Sequence, residues 1–229
     1  MSETLTAPNI LITVTRLLTF RISREEFLQF NYKHLACGVA CTWIVGIGRW
    51  WDDPGAHLLQ HLGIGSVIYI LLLSLLLWLV IWPLKPRGWS YRQVLTFVSL
   101  TSPPAILYAI PVERFTALET ARTLNVWFLA VVAMWRVALL VFYLRRHARL
   151  SPLSIAVAAL LPITFIIATL TVLNLERAVF DLMGGLRGGG TANDSAYGIL
   201  VGLTVLSMIL FIPLLICYIF LSVWSFTRK

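Results

Sequence analysis

The sequence predicts an all-α, polytopic transmembrane helix bundle with six spans and a broken or kinked third helix. Three observations predict this fold class. Of the 229 residues, 59% are hydrophobic and only 12% are charged, whereas a soluble domain carries about 25% charged residues. Several apolar runs reach the roughly 20 residues that cross a bilayer as a helix. The basic residues cluster between these runs, as in cytoplasmic loops, so the net charge of +8 does not indicate nucleic-acid binding.

Residues 1–33 are predicted to form a cytoplasmic N-terminal segment, followed by a transmembrane helical domain at residues 34–229. The opening "MSETLTAPNI" lacks the basic region typical of a secretory signal. Ile10–Ile22 mixes apolar residues with Arg16 and Arg21. This pattern predicts a helix that either lies on the membrane interface or packs against the base of the bundle. The sequence "SREE" at Ser23–Glu26 predicts a capping box that opens a second helix.

Six apolar runs are predicted to span the membrane: Leu35–Trp51, Leu62–Leu84, Val94–Val112, Leu124–Leu144, Ile155–Leu173 and Tyr197–Trp224. The first run is the shortest, and the distribution of basic residues decides whether it spans. If it does, most basic residues fall on one side, and the other side keeps only Arg49, Arg114, Arg122, Arg177 and Arg187. If it does not, the two sides carry almost equal numbers. Because cytoplasmic loops hold the excess of Lys and Arg, we expect six spans with both termini in the cytoplasm.

Helix-capping and small-residue patterns support this division. Serines at Ser90 ("SYRQ") and Ser151 ("SP") are predicted to cap the third and fifth spans. The pairs Gly198/Gly202 and Ala36/Ala40 have the spacing of helix-packing seams. We expect both seams to pack within the chain rather than between copies.

The third predicted span contains "TSPPAILYAIP", Thr101–Pro111, with three prolines. Proline cannot donate to the carbonyl one turn earlier, so a break is predicted at Pro103 and Pro104. Ser102 is predicted to cap the second half-helix. The hydroxyls of Ser99, Thr101 and Ser102 are expected to help satisfy the freed carbonyls.

Arg136 lies inside the fourth predicted span, nine residues before Arg145 and so about 13 Å from the cytoplasmic end. The acidic residues lie outside the span interiors, so Arg136 needs another acceptor. We expect it to donate to carbonyls freed around Ser99 and Leu100. The candidate intramembrane polar site therefore comprises Arg136, Ser99, Thr101, Ser102, Pro103 and Pro104. Its role is either structural or the binding of an anionic ligand.

A second candidate site is a charge cluster at the outer edge. It comprises Arg49, Asp52, Asp53, Glu113 and Arg114. The tryptophans in "GRWWDDPG" are typical of an aromatic belt. A belt followed by a turn is the favoured interpretation; as alternatives, the aspartates pair with Arg49, Arg114 or Arg177 or attract a cation, although two adjacent aspartates offer too few oxygens for a metal site. No metal or cofactor is predicted.

The sequence does not predict an enzyme. It contains neither HExxH nor GxSxG. Ser66 in "GIGS" has no histidine in a later span that would act as its base.

The segment from Gly88 to Thr164 combines several features in a characteristic order. The loop "KPRGWS" precedes "YRQVLTFVSLTSPPAILYAIPV", a span with a serine- and proline-bearing centre. Next comes "NVWFLAVVAMWRVALLVFYLRRHARLS", in which Trp135 precedes a basic end, and then a span containing Pro162. This order resembles the Ypt-interacting-protein (Yip) family. The resemblance implies a non-enzymatic, bacterial-type integral protein of the cytoplasmic (inner) membrane. Six spans and no long cytoplasmic tail depart from the eukaryotic pattern, so a Rab-type partner is not implied.

Two functions are therefore expected as alternatives. The first is a membrane-organising or protein-interaction role, with the lipid bilayer, other membrane proteins or a second copy as partners. The second is a small transporter or channel subunit with its site at the third-helix break beside Arg136. A polar cavity at the break would favour transport, and a closed core would favour the first function.

Overall fold

The computed structural model describes residues 10–48, 58–175 and 195–227. Every element in these ranges is helical, which confirms the all-α class. The α-helices are α1 (Ile10–Leu18), α2 (Arg24–Leu28), α3 (Tyr32–Ile47), α4 (Leu58–His61), α5 (Ile64–Ile81), α6 (Tyr91–Leu100), α7 (Leu118–Tyr143), α8 (Pro152–Val172) and α9 (Ser195–Thr227). Short 3₁₀-helices lie at Trp82–Leu84, Pro103–Ala109 and Val112–Arg114, and a π-helical turn at Leu144–Ala148 continues α7.

Four helical stretches among the described residues are long and apolar enough to cross a membrane. They are Ile64–Leu84, Thr123–Ala148, Pro152–Val172 and Gly198–Thr227. These stretches correspond to the second, fourth, fifth and sixth predicted spans. The first predicted span coincides with α3, whose 16 residues rise about 24 Å. The third coincides with α6, which has 10 residues, and the 3₁₀-helix that follows it.

The predicted starts of α2, α6 and α8 are confirmed, whereas Ser102 precedes the 3₁₀-helix Pro103–Ala109 without the predicted side-chain cap bond. Ser23 and Glu26 form a complete capping box at α2, with both reciprocal hydrogen bonds present. The hydroxyl of Ser90 accepts from the backbone N–H of Gln93 at the start of α6. Ser151 accepts from the N–H of Ser154, and Pro152 occupies the first turn of α8. Local sequence chemistry is thus sufficient to place these helix starts.

The N-terminal helices pack onto the bundle. The side chains of Leu17, Ile22 and Phe27 are fully buried in the main hydrophobic core. The indole Nε1 of Trp135 on α7 donates to the carbonyl of Leu18 over 3.0 Å. Of the two expected placements, α1 therefore shows the packed one, while its opposite face exposes Leu11 and Ile12.

An ion pair ties α1 to α2. The guanidinium of Arg16 lies 2.7 Å from the carboxylate of Glu26, and the N–H of Ser23 donates to the same carboxylate over 2.7 Å. Burial raises the pKa of Glu26, but these two donors outweigh it and hold the pKa below its usual value. The carboxylate is therefore charged at neutral pH, as the ion pair requires.

The most buried element is α6. Every residue from Val94 to Leu100 is buried, and the helix packs between α3 and α5. By contrast, α9 packs mainly against α8 and exposes most of its apolar side chains. The 3₁₀-helix Pro103–Ala109, which follows α6, therefore begins in the interior of the protein.

The two predicted small-residue seams do not pack within the chain. Ala36 and Ala40 are exposed on α3. A Cβ atom added at Gly198 or Gly202 would meet no other atom within 4 Å. The prediction of intramolecular seams at these pairs is wrong, because each helix turns a neighbouring stripe of residues towards the bundle.

Candidate functional site

The candidate site is a line of small and hydroxyl-bearing residues between α3 and α6. We call it the polar seam and define it as Gly38 and Thr42 of α3, with Ser99 and Ser102 facing them. The four buried residues of α3 are His34, Gly38, Thr42 and Gly46. They recur at every fourth position, which places them on one face of the helix. This face, rather than the Ala36/Ala40 face, lies against α6.

The backbones of α3 and α6 approach closely at Gly38. A Cβ atom on Gly38 would lie 2.9 Å from the Cβ of Ser99 and 3.0 Å from the backbone nitrogen of Leu100. Real side chains do not tolerate the first of these distances without a shift of one helix. Glycine at position 38 therefore allows the helices to pack at this separation, as small residues do in membrane bundles.

Thr42 is the polar centre of the seam. Its hydroxyl oxygen lies 2.7 Å from the hydroxyl oxygen of Ser102, 2.9 Å from the carbonyl oxygen of Gly38 and 3.5 Å from that of Ser99. The carbonyl of Ser99, which Pro103 cannot reach, also accepts from the N–H of Ser102 over 3.1 Å. The local bond from the N–H of Ser102 therefore satisfies the carbonyl at the start of the proline segment, while the single hydroxyl proton of Thr42 serves its shorter contacts.

The remaining hydroxyls of the predicted site turn back on their own helix. Ser99 donates to the carbonyl of Thr96 over 2.9 Å, and Thr101 donates to that of Val98 over 2.7 Å. These acceptors are not the carbonyls of Ser99 and Leu100 that the prolines free, so the Ser99 and Thr101 hydroxyls do not play the role predicted for them at the break.

The seam is closed. Thr42 and Ser102 expose 4% and 3% of their surface, and Ser99 exposes none. Pro103 and Pro104 begin the 3₁₀-helix and are half-buried. The hydroxyls are bonded to each other and to the backbone, so the seam behaves as a satisfied core network rather than an open polar cleft.

Arg136 lies elsewhere. Its guanidinium carbon is 5.9 Å from the ring centre of Tyr69 on α5, and the residue is half-buried. The carbonyl of Ser99, which was the expected partner of Arg136, is bonded instead by the N–H of Ser102. The physical reason is geometric, because this face of α6 is covered by α3 while Arg136 faces α5. The face of the Tyr69 ring attracts the positive charge of Arg136 and takes the place of a carboxylate partner.

The outer-edge charge cluster is only partly described. Arg49, Asp52 and Asp53 lie outside the described residues. The backbone of Glu113 belongs to the 3₁₀-helix Val112–Arg114, and Arg114 is exposed. The predicted pairing of these charges stays a prediction.

A buried aromatic cluster was not expected from the sequence. Tyr143 stacks on Phe97, with ring centres 4.1 Å apart, and on His147 at 5.0 Å. Phe27 of α2 packs against both Tyr143 and His147. His34 and His147 expose only 3% and 1% of their surface, so both belong to the core at the ends of their helices. Aromatic residues recur three or four positions apart in two parts of the sequence, at Phe27, Phe30 and His34 and at Tyr143 and His147. This spacing is the sequence signal that indicates a shared core.

No family model, curated protein or solved structure matches this chain. The polar seam, the position of Arg136 and the exposed apolar faces are therefore the basis for assigning a function.

Proposed function

We propose that this chain is a non-catalytic integral membrane protein that organises or binds its surroundings through contacts in the plane of the membrane. The closure of the polar seam is the observation that carries this proposal. Its hydroxyls are buried and bonded to each other and to backbone carbonyls. A transport site near the middle of a bilayer needs polar groups that a solute can reach. The seam instead joins α3 to α6.

The proposal includes six spans with both termini in the cytoplasm. The two spans beyond the four long helices are α3 and the pair formed by α6 and the 3₁₀-helix Pro103–Ala109. A proline-interrupted backbone is tolerated in a membrane when protein rather than lipid surrounds it. The burial of α6 between α3 and α5 supports this placement. The excess of basic residues on one side supports the orientation.

The Yip-like character and the bacterial cytoplasmic membrane are part of the same proposal. They rest on the order of loop, proline-bearing span and Trp135-bearing span between Gly88 and Thr164. Exposed apolar surface is compatible with a role in contacts. Along α9, large side chains such as Ile209, Ile212 and Ile216 expose more than half of their surface. Such a surface packs well against lipid or another membrane helix.

A transporter or channel subunit is the alternative. It requires Arg136 and the break to line one anion site. Arg136 contacts Tyr69 on α5, whereas Ser99 and Ser102 contact Thr42 on α3. This separation of the two halves of the predicted site favours a structural role for each.

Flux through purified protein tests the proposal. The full chain is reconstituted in vesicles loaded with chloride or inorganic phosphate, and efflux is compared with protein-free vesicles. We expect equal efflux from both, and no change with Arg136→Ala or Ser102→Ala. Saturable efflux that either substitution abolishes would contradict the proposal and favour the transporter. Circular dichroism of the same preparations establishes that each variant is folded.

A further inference from the structure

An apolar groove runs along the outer surface between α3 and α5. We call it the α3–α5 groove, and it has a volume of about 790 Å³. Its lining residues are Tyr32, Leu35, Ala36, Val39, Ala40, Trp43, Ile64 and Val67. We propose that this groove binds an anionic phospholipid, with one acyl chain along α3 and the phosphate beside Arg92 and Lys33.

The shape of the groove suits an acyl chain. Ala36 and Ala40 have small, exposed side chains that leave a channel between bulkier neighbours. From Tyr32 to Trp43 the helix rises about 16 Å. This length is about half of the 30 Å hydrocarbon core of a bilayer, which is the thickness of one leaflet. The lining is apolar apart from Tyr32, a residue type that favours the interface, and the indole N–H of Trp43, which donates to the carbonyl of Leu62 over 2.8 Å.

Positive charge is concentrated at the Tyr32 end of the groove. The guanidinium carbon of Arg92 lies 5.0 Å from the ring centre of Tyr32, and Lys33 is exposed on the next position of α3. Arg92 belongs to the first turn of α6, and Lys33 to the first turn of α3. The positive ends of both helix dipoles therefore add to the charge of the two side chains.

This charge is not neutralised by the carboxylates whose side chains the structure describes, those of Glu25 and Glu26. Glu26 pairs with Arg16, and the charges that act on Glu25 are those of Arg24 and Arg146. Arg92 and Lys33 consequently leave a cationic entrance beside an apolar groove. A phosphodiester attached to an acyl chain is the chemistry that satisfies both features together.

The proposed topology places the first turns of α3 and α6 at the cytoplasmic surface. Anionic lipids of that leaflet are attracted by basic residues at this depth. The assignment to the cytoplasmic leaflet rests on the proposed function and topology, whereas the match of groove and charge does not. A second copy of the chain is the competing occupant, since Ala36 and Ala40 have the spacing of a helix-pairing face.

Photolabelling in vesicles tests the proposal. The full chain is reconstituted in phosphatidylcholine vesicles that contain a trace of phosphatidylglycerol or phosphatidylcholine carrying a diazirine in one acyl chain. Labelled positions are mapped by mass spectrometry. We expect labelling within residues 35–43 and about tenfold more labelling by the anionic analogue, as two basic residues at the membrane surface allow.

Two variants separate the acyl and headgroup contacts. The double substitution Ala36→Leu/Ala40→Leu fills the groove and should abolish labelling at residues 35–43; both positions are exposed, so the fold is retained. The double substitution Arg92→Ala/Lys33→Ala should keep labelling but bring the two analogues to equal yield. Gly202→Leu, which meets open space, and Arg145→Ala at an exposed site are the matched controls.

Four results would overturn the proposal. They are absent labelling at residues 35–43, equal labelling of the wild-type chain by the two analogues, labelling that survives filling of the groove, and a dimer whose formation excludes the lipid label. The last result, detected by light scattering of the purified protein, would assign the groove to a second copy. Anion efflux with lipid labelling intact would contradict only the proposed function, and absent labelling without efflux would contradict only the lipid site.

Discussion

Replacement of Gly38 by alanine tests how closely α3 and α6 pack. The new Cβ would lie 2.9 Å from the Cβ of Ser99 and 3.0 Å from the nitrogen of Leu100. Because the second atom belongs to the backbone, relief requires a shift of a helix, and overpacking of this kind costs about 1–3 kcal/mol. Alanine gains about 0.5–1 kcal/mol of helix propensity over glycine. We therefore expect Gly38→Ala to lower the free energy of unfolding by up to about 2 kcal/mol.

Gly198→Ala is the matched control. It makes the same chemical change in another apolar helix, where the added atom meets nothing within 4 Å. Only the propensity term applies there, so the variant should be as stable as the wild type or slightly more stable. The difference between the two variants is then the cost of overpacking, about 1–3 kcal/mol, which is about 5- to 150-fold in the unfolding equilibrium constant.

Unfolding in mixed micelles with increasing sodium dodecyl sulfate, followed by tryptophan fluorescence, measures both variants. The account also predicts that Ser99→Gly partly rescues Gly38→Ala, since it removes the nearest side-chain atoms. If Gly38→Ala proved as stable as Gly198→Ala, the close packing of α3 on α6 would be refuted.

Three further outcomes follow from individual contacts. Thr42→Val should destabilise the chain by about 0.6–1.7 kcal/mol in the same titration, while Thr42→Ser should be nearly neutral because it keeps the hydroxyl. The pKa of Glu26 is lower in the folded protein than its usual value, so the stability that its charge contributes is present above the unfolded pKa and is lost as pH falls through the folded pKa. Thermal melts from pH 7 down to pH 3 should therefore show a larger loss of stability for the wild type than for Glu26→Gln. Trp135→Phe removes the bond to the carbonyl of Leu18 and should speed amide exchange in α1 by up to about tenfold; unchanged exchange would show that α1 is held by apolar contacts alone.

Local features of the fold were predictable from the sequence. The caps at Ser23, Ser90 and Ser151 depend on residues within three positions of one another, so their chemistry is visible in the chain. The four long apolar helices were predictable because a run of about 20 apolar residues has few alternatives to a spanning helix.

The seam and the aromatic cluster were not predictable in the same way. Contacts between helices depend on how each helix is rotated, and α3 offers two stripes of small residues. The predicted stripe, Ala36 and Ala40, faces outward, and the stripe of Gly38 and Thr42 faces α6. The recurrence of small residues at positions 38, 42 and 46 is longer than the alanine pair and is the signal that favours the correct stripe.

The position of Arg136 shows a second limit of prediction from the sequence. Depth along a helix follows from residue count, so Arg136 and Leu100 were placed at similar levels. Direction around the helix does not follow from depth, and Arg136 points to Tyr69 on α5. The partner of Arg136 is also an aromatic ring, whereas only carbonyls and carboxylates were considered as its acceptors.

The most direct test of the closed seam is the reactivity of a cysteine at position 102. Ser102→Cys is made in a chain whose native Cys37, Cys41 and Cys217 are replaced by alanine, and it is treated in vesicles with a charged maleimide. Because Ser102 exposes only 3% of its surface and faces Thr42, the account predicts no labelling until the protein is denatured. Rapid labelling of the native protein would place the break in contact with water and contradict the account.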